Sequence, residues 1–132
     1  MDKKIVLLVV EDEASIRKVI VKKFIKEGFK VLEAVNGEKG LEIFIKERPD
    51  MILLDLIMPI MDGISMLKKI RQLDYGKNVP VIVLTNLSDA GKTAESIEYG
   101  VCDYLVKADW KLDDLVAKVK IRISEGCIQS NK

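Results

Sequence analysis

Histidine is absent from this sequence. Its absence removes Ser-His and Cys-His nucleophile activation and the usual imidazole metal sites, so any chemistry must run on carboxylates, hydroxyls and lysines. Cysteine is scarce: Cys102 and Cys127 form neither a CxxC pair nor a zinc-type spacing. Free thiols serving as packing filler and tail are expected in a reducing compartment. Long apolar runs are missing too. IVLLVV, residues 5–10, is far too short to span a bilayer. The opening MDKKIVLLVVEDE runs directly into acids with no small-residue cleavage site, unlike a signal peptide. A cytoplasmic protein without membrane contact is the expectation. The net charge is only +1, with lysines scattered along the chain. Nothing forms the basic stripe that neutralises nucleic-acid phosphates, so direct DNA binding is not expected.

What is present is a balance of 48% hydrophobic and 33% charged residues over 132 positions, enough for one well-packed domain. No repeat, low-complexity segment or Pro/Ser-rich linker interrupts it, so one domain over 1–126 with a short tail at 127–132 is expected. Five apolar runs read as strands: 5–10, 30–35, 51–56, 79–85 and 103–107. Between them lie helical spacings: Ile16, Val19, Ile20 and Phe24; Leu41, Phe44 and Ile45; Ile64, Leu67 and Ile70. A weaker apolar face spans Ser88 to Tyr99, and the last helix carries Leu112, Leu115, Val116, Val119 and Ile123. Gly28 and Gly100 stand where helices should stop, and Asn36-Gly37 and Asp62-Gly63 where turns should lead into helices. Strict strand-helix alternation implies parallel pairing through right-handed crossovers. The expected fold is α/β, a doubly wound (βα)5 domain with a five-stranded parallel sheet.

In such a sheet ligands bind at the carboxyl ends of the strands, where the strand order reverses. The first strand ends in Glu11, Asp12 and Glu13, the third in Asp55, the fourth in Thr85 and the fifth in Lys107. Two carboxylates ~4 Å apart repel by about 1 kcal/mol in water and about 4 kcal/mol at an effective dielectric near 20. A hard divalent cation relieves that repulsion, and Mg²⁺ suits one or two carboxylates while accepting phosphate oxygens. Lys107 adds a fixed positive charge and Thr85 a hydroxyl donor. Together they make a site for a phosphoryl group beside an aspartate, with Asp55 as the nucleophile. Other readings stand beside this one: EDE as the cap of the first helix, with Glu13 doing only that, and Tyr104 as core filler. Met58, Met61 and Met66 read as packing or surface residues, and Asp109 as a cap for the last helix.

With Glu11-Asp12, DLIMPIMDG around Asp55, Thr85 and DYLVK ending in Lys107 all in order, residues 4–125 resemble a response-regulator receiver domain. The resemblance implies a flavodoxin-like fold, a stand-alone receiver of two-component signalling, and Mg²⁺ held by Glu11, Asp12, Asp55 and the backbone carbonyl of Ile57. It further implies that Asp55 takes phosphate from a histidine kinase or phosphotransfer protein. Thr85 then moves toward the phosphoryl group, Tyr104 rotates inward, and the surface of the fourth helix, fifth strand and fifth helix is remodelled for a downstream protein. Monomer or phosphorylation-linked dimer is implied, without enzymatic turnover of a separate substrate.

Two positions depart from the family pattern. Ala108 follows the lysine where proline is common, and since a cis bond before a non-proline costs roughly 2.5 to 4 kcal/mol, the loop is expected to take a trans path. Asn86 stands where alanine is frequent. The positions two after Asp55 and two after Thr85 are Ile57 and Leu87, both apolar; neither can orient water, so slow autodephosphorylation is expected. An aspartate-nucleophile, Mg²⁺-dependent phosphatase of the haloacid-dehalogenase type wants a second acid at position 57. A flavin module wants a phosphate-binding loop after the first strand, which is not present. A receiver fold used as an unphosphorylated interaction module is the remaining alternative.

Overall fold

Each strand is followed by a helix, which lets successive strands share one sheet only in parallel. The structure, a computed structural model, describes residues 4–107 and 111–125, with the Leu87 side chain also outside the description. Its elements run β1 (Val6–Val10), α1 (Ala14–Lys26), β2 (Lys30–Ala34), α2 (Gly37–Glu47), β3 (Met51–Asp55), α3 (Gly63–Arg71), β4 (Val81–Thr85), α4 (Ala90–Ile97), β5 (Asp103–Val106) and α5 (Leu112–Glu125). All pairings are parallel, in the order β2-β1-β3-β4-β5. This is the doubly wound, flavodoxin-like sheet, and its order reverses between β1 and β3.

The two faces of the sheet follow from the two-residue period of a strand. Leu8, Val10, Ile52, Leu54, Val81 and Val83 point to one side and pack against Phe44 of α2 and Ile64, Met66, Leu67 and Ile70 of α3. Leu7, Val9, Leu53, Ile82 and Leu84 point to the other, against Ile20 and Phe24 of α1 and Leu115, Val116 and Val119 of α5. β3 and β4 are buried at every position, so their last residues, Asp55 and Thr85, are carried into the interior rim rather than into water.

Some details differ from the sequence expectation. Val19 and Ile45 are about half exposed, because each lies at the margin of its helix's apolar stripe. The segment before α4 is a 3₁₀ turn over Leu87–Asp89, and Ser96 is the one residue of α4 that is fully buried. Cys102 is disulfide-bonded, which corrects the expected free thiol; Cys127 lies outside the described residues. Asn36 and Asp62 cap α2 and α3 through side-chain oxygens that accept from Lys39 N and Ser65 N, both at 2.8 Å. Gly28 and Gly100 end helices with φ of +98° and +81°. Among the described residues no helix is long and apolar enough to cross a membrane.

Candidate functional site

The carboxyl ends of β1, β3 and β4 lie side by side because the register places Val10 beside Leu54 and Asp55 beside Leu84. Glu11 continues from β1 and is held there by its own N–H, which donates to Ala34 O at 3.1 Å. Its side chain is fully buried, Asp55 and Thr85 nearly so, and Asp12 is exposed. Oxygens of Glu11, Asp12 and Asp55 lie within 4.8 Å of one another. Lys107 leaves the end of β5, where its N–H donates to Thr85 O at 2.6 Å. The Lys107 ammonium then pairs with Glu11 Oε1 at 2.7 Å and Asp55 Oδ1 at 3.4 Å.

The electrostatics are unbalanced. Burial pushes the Asp55 carboxyl up to about 7, and the Glu11 charge adds to the rise while Lys107 opposes it. For Lys107, burial favours the neutral amine, but the paired carboxylates of Glu11 and Asp55 outweigh it and hold the pKa above the usual lysine range. One ammonium therefore faces two buried carboxylates and the exposed Asp12. Glu11 Oε1 makes no well-angled hydrogen bond despite its short ion-pair distance. Three converging carboxylates with surplus negative charge and a free lone pair are a fitting donor set for a hard, oxygen-preferring divalent ion such as Mg²⁺.

The loop from Asp55 to α3 is built by backbone demands. A Cβ at Gly63 would collide with the carbonyl oxygen of Asp55 and meet Leu56 Cα at 2.8 Å, so only glycine lets α3 start this close to the site. Met61 N donates to Pro59 O at 2.8 Å around Ile60, whose φ of 71° marks a γ-turn of the strained sense. Ile57 N donates to Asp55 Oδ1 at 3.4 Å, and its side chain is about half exposed beside the carboxylate.

Thr85 Oγ1 lies 2.6 Å from Thr93 Oγ1 on α4 and 3.2 Å from Asn86 O. Tyr104 is half exposed, not core filler, and with Thr85, Thr93, Ala94 and Ile97 it lines a groove of about 310 Å³ between α4 and β5. Glu13 occupies the N-cap position of α1, but its side chain makes no capping bond; instead its N–H donates to Glu11 Oε2 at 3.1 Å, so the expected capping role is not seen. Ala108, with its peptide bond to Lys107, and Asp109 lie outside the described residues.

Two polar residues near the rim carry no residue-type signal in the sequence. Arg17 Nη1 donates to Glu11 O at 2.9 Å and its Nε to Glu33 Oε1 at 3.0 Å, fixing the backbone that presents Glu11 and Asp12. Thr93 is the other; its binding partner, unlike its own residue type, is one the sequence singles out.

The chain matches the response regulator receiver domain family model over residues 7–120. It is 38% identical over 114 residues to sporulation initiation phosphotransferase F of Bacillus subtilis, covering 86% of this chain and 90% of that protein. It is also 35% identical over 127 residues to "Probable transcriptional regulator ycf27" of Porphyridium aerugineum, covering 95% of this chain but only 52% of that relative. Among solved structures, the receiver domain of sensor histidine kinase PA1611 from Pseudomonas aeruginosa, with magnesium coordinated in its active-site cleft, superposes with a TM-score of 0.84. The identity there is 29%, over 92% of this chain and 99% of that one.

Proposed function

Because this chain belongs to the response-regulator receiver family, we propose that it is a phosphorylation-dependent signalling switch with Asp55 as its phosphoacceptor. The observation that carries this reading is the buried Asp55 carboxylate flanked by Glu11, Asp12 and Lys107 at the point where the strand order reverses. An Asp55 oxygen attacks phosphorus in line, the new O–P bond forms as the P–N bond to a donor imidazole breaks, and that electron pair leaves with the imidazole. The Lys107 ammonium lies within ion-pair distance of both buried carboxylates and offsets the incoming phosphoryl charge. Glu11, Asp12, Asp55 and the Ile57 carbonyl would hold Mg²⁺, which when bound would supply the remaining charge compensation.

In this reading the donor is a histidine kinase or phosphotransfer protein in the cytoplasm, and the product is an altered protein-binding surface on α4, β5 and α5, read by a downstream partner or a second copy. The receiver unit spans 1–126. Receiver domains act as switches that promote their own phosphorylation, and no separate substrate is assigned to this one. Thr85 and Tyr104 form the relay. Both line the α4–β5 groove, which gives the tyrosine ring a place to move into. The test is incubation with Mg²⁺ and acetyl phosphate, followed by mass measurement. Addition of one phosphoryl group by the wild type and none by Asp55→Asn is expected; no addition to either would favour an unphosphorylated interaction module.

Ile57 and Leu87 tune lifetime in this reading, since neither side chain can align a hydrolytic water. The Ile57→Asn variant is expected to release phosphate about two- to tenfold faster, the range that one well-placed hydrogen bond provides. Following loss of the phosphorylated species by mass or gel mobility checks it, and an equal or slower rate would argue against the role.

A further inference from the structure

We propose that Thr93 is a positioning residue whose hydroxyl holds the Thr85 hydroxyl on α4 and so sets how readily Thr85 turns to a phosphoryl group on Asp55. The inference rests on Asp55 being the phosphoacceptor. Thr85 Oγ1 and Thr93 Oγ1 are 2.6 Å apart, Thr85 Oγ1 is 3.2 Å from Asn86 O, and Thr93 Oγ1 is 3.1 Å from Asp89 O. Each hydroxyl has one proton to donate. Two arrangements satisfy the close oxygen pair: Thr85 donates to Thr93 while Thr93 donates to Asp89 O, or Thr93 donates to Thr85 while Thr85 donates to Asn86 O. In both, the Thr85 proton is spent, and a phosphoryl oxygen would have to draw it away from a protein acceptor.

α4 is anchored unequally at its two ends. Its far end is tied to α3 by Arg71, which donates to Tyr99 O at 2.6 Å and Gly100 O at 2.8 Å. Its near end has no side-chain cap, begins in a 3₁₀ turn, and has Thr93 as its hydroxyl link to β4. Releasing Thr85 from Thr93 therefore frees the first half of α4 while the second stays pinned. That half borders the groove on which Tyr104 lies. Thr93 is thus a latch between the rim that carries Asp55 and the first half of α4, and a ligand that draws Thr85 away must break it.

The test compares wild type with Thr93→Val, Thr93→Ala and Thr93→Ser. The probe is beryllium fluoride with Mg²⁺, a tetrahedral stand-in for an acyl phosphate, titrated by calorimetry, with circular dichroism to verify folding. Valine keeps the shape without the hydroxyl, and serine keeps the hydroxyl. Thr93→Val and Thr93→Ala are expected to bind about two- to tenfold more tightly, matching the loss of one hydrogen bond that opposes binding, and Thr93→Ser is expected to match the wild type. Folded Val and Ala variants with wild-type affinity would overturn the latch while leaving the phosphoacceptor reading intact. So would a Ser variant that shifts as far as valine. Failure of the wild type itself to bind would overturn both.

Discussion

Asp55→Asn is expected to be more stable than the wild type by about 4 kcal/mol at pH 8 without metal, and the gain is expected to vanish below about pH 4. The folded-state carboxyl titrates at about 7 rather than near 3.8, first because it is buried and then because Glu11 stands beside it. Between those two values the folded state binds more protons than the unfolded state. Stability contributed by this group therefore falls as pH rises through that window, and the penalty is complete above about 7. Asparagine has no charge to desolvate, so it escapes the penalty; below the unfolded value both side chains are neutral and the difference closes. The opposing pull of Lys107 is already contained in that raised titration point, and Lys107 keeps Glu11 as a partner in the variant. Urea denaturation of both proteins at pH 4, 6 and 8 measures the effect. Adding Mg²⁺ should shrink the gap at pH 8, because ligand binding stabilises only the folded wild-type site to its full extent. A gap independent of pH, or a less stable variant at pH 8, would contradict the electrostatic account. A buried carboxyl beside a second one is thus expected to be held at a cost in fold stability.

That convergence is legible in the sequence because each participant interrupts an apolar run. Val10 gives way to Glu11, Leu54 to Asp55, Leu84 to Thr85 and Val106 to Lys107, and parallel strands with a common register deliver all four ends to one edge. β3 and β4 were equally legible, since burial on both faces leaves a continuous apolar string. Helix margins were less so. An apolar residue at the border of a helical stripe, such as Val19 or Ile45, satisfies the spacing whether or not the sheet extends beneath it. Least legible were the residues whose work is done on backbone carbonyls. Arg17 binds Glu11 O, Thr93 binds Asp89 O as well as Thr85, and Arg71 reaches carbonyls 28 and 29 positions away. A carbonyl carries no residue-type signature, so neither end of such a bond stands out. The capping of α1 failed for a related reason: acids at a helix start favour the dipole whether or not they close a hydrogen bond, and Glu13 does not close one.

Arg71→Met is expected to cost about 3–5 kcal/mol, because it removes four hydrogen bonds made by a charged donor. On sequence alone Arg71 is a basic residue in the last turn of α3, where a cation complements the helix dipole for a few tenths of a kcal/mol to about 1 kcal/mol. In the structure its guanidinium donates to four carbonyls: Tyr99 O, Gly100 O, Gly76 O and Val79 O, at 2.6 to 2.9 Å. Tyr99 and Gly100 lie between α4 and β5, Gly76 closes a 3₁₀ turn over Asp74–Gly76 after α3, and Val79 lies just before β4. One planar fork thereby fastens three chain segments, and burial of the group, which pulls the guanidinium pKa down, places those bonds in a medium where water is a poor substitute. Methionine fills similar space but leaves the carbonyls without their donor. Lysine retains a charge but not the fork, so Arg71→Lys is expected to recover only part of the loss. Urea midpoints for the three proteins give the energies, and hydrogen exchange should show the loss concentrated around residues 76–80 and 98–102 rather than at the β1–β3 rim. A loss under about 1 kcal/mol for Arg71→Met would mean that water replaces the guanidinium without penalty, and α4 would then have no fixed end about which to move.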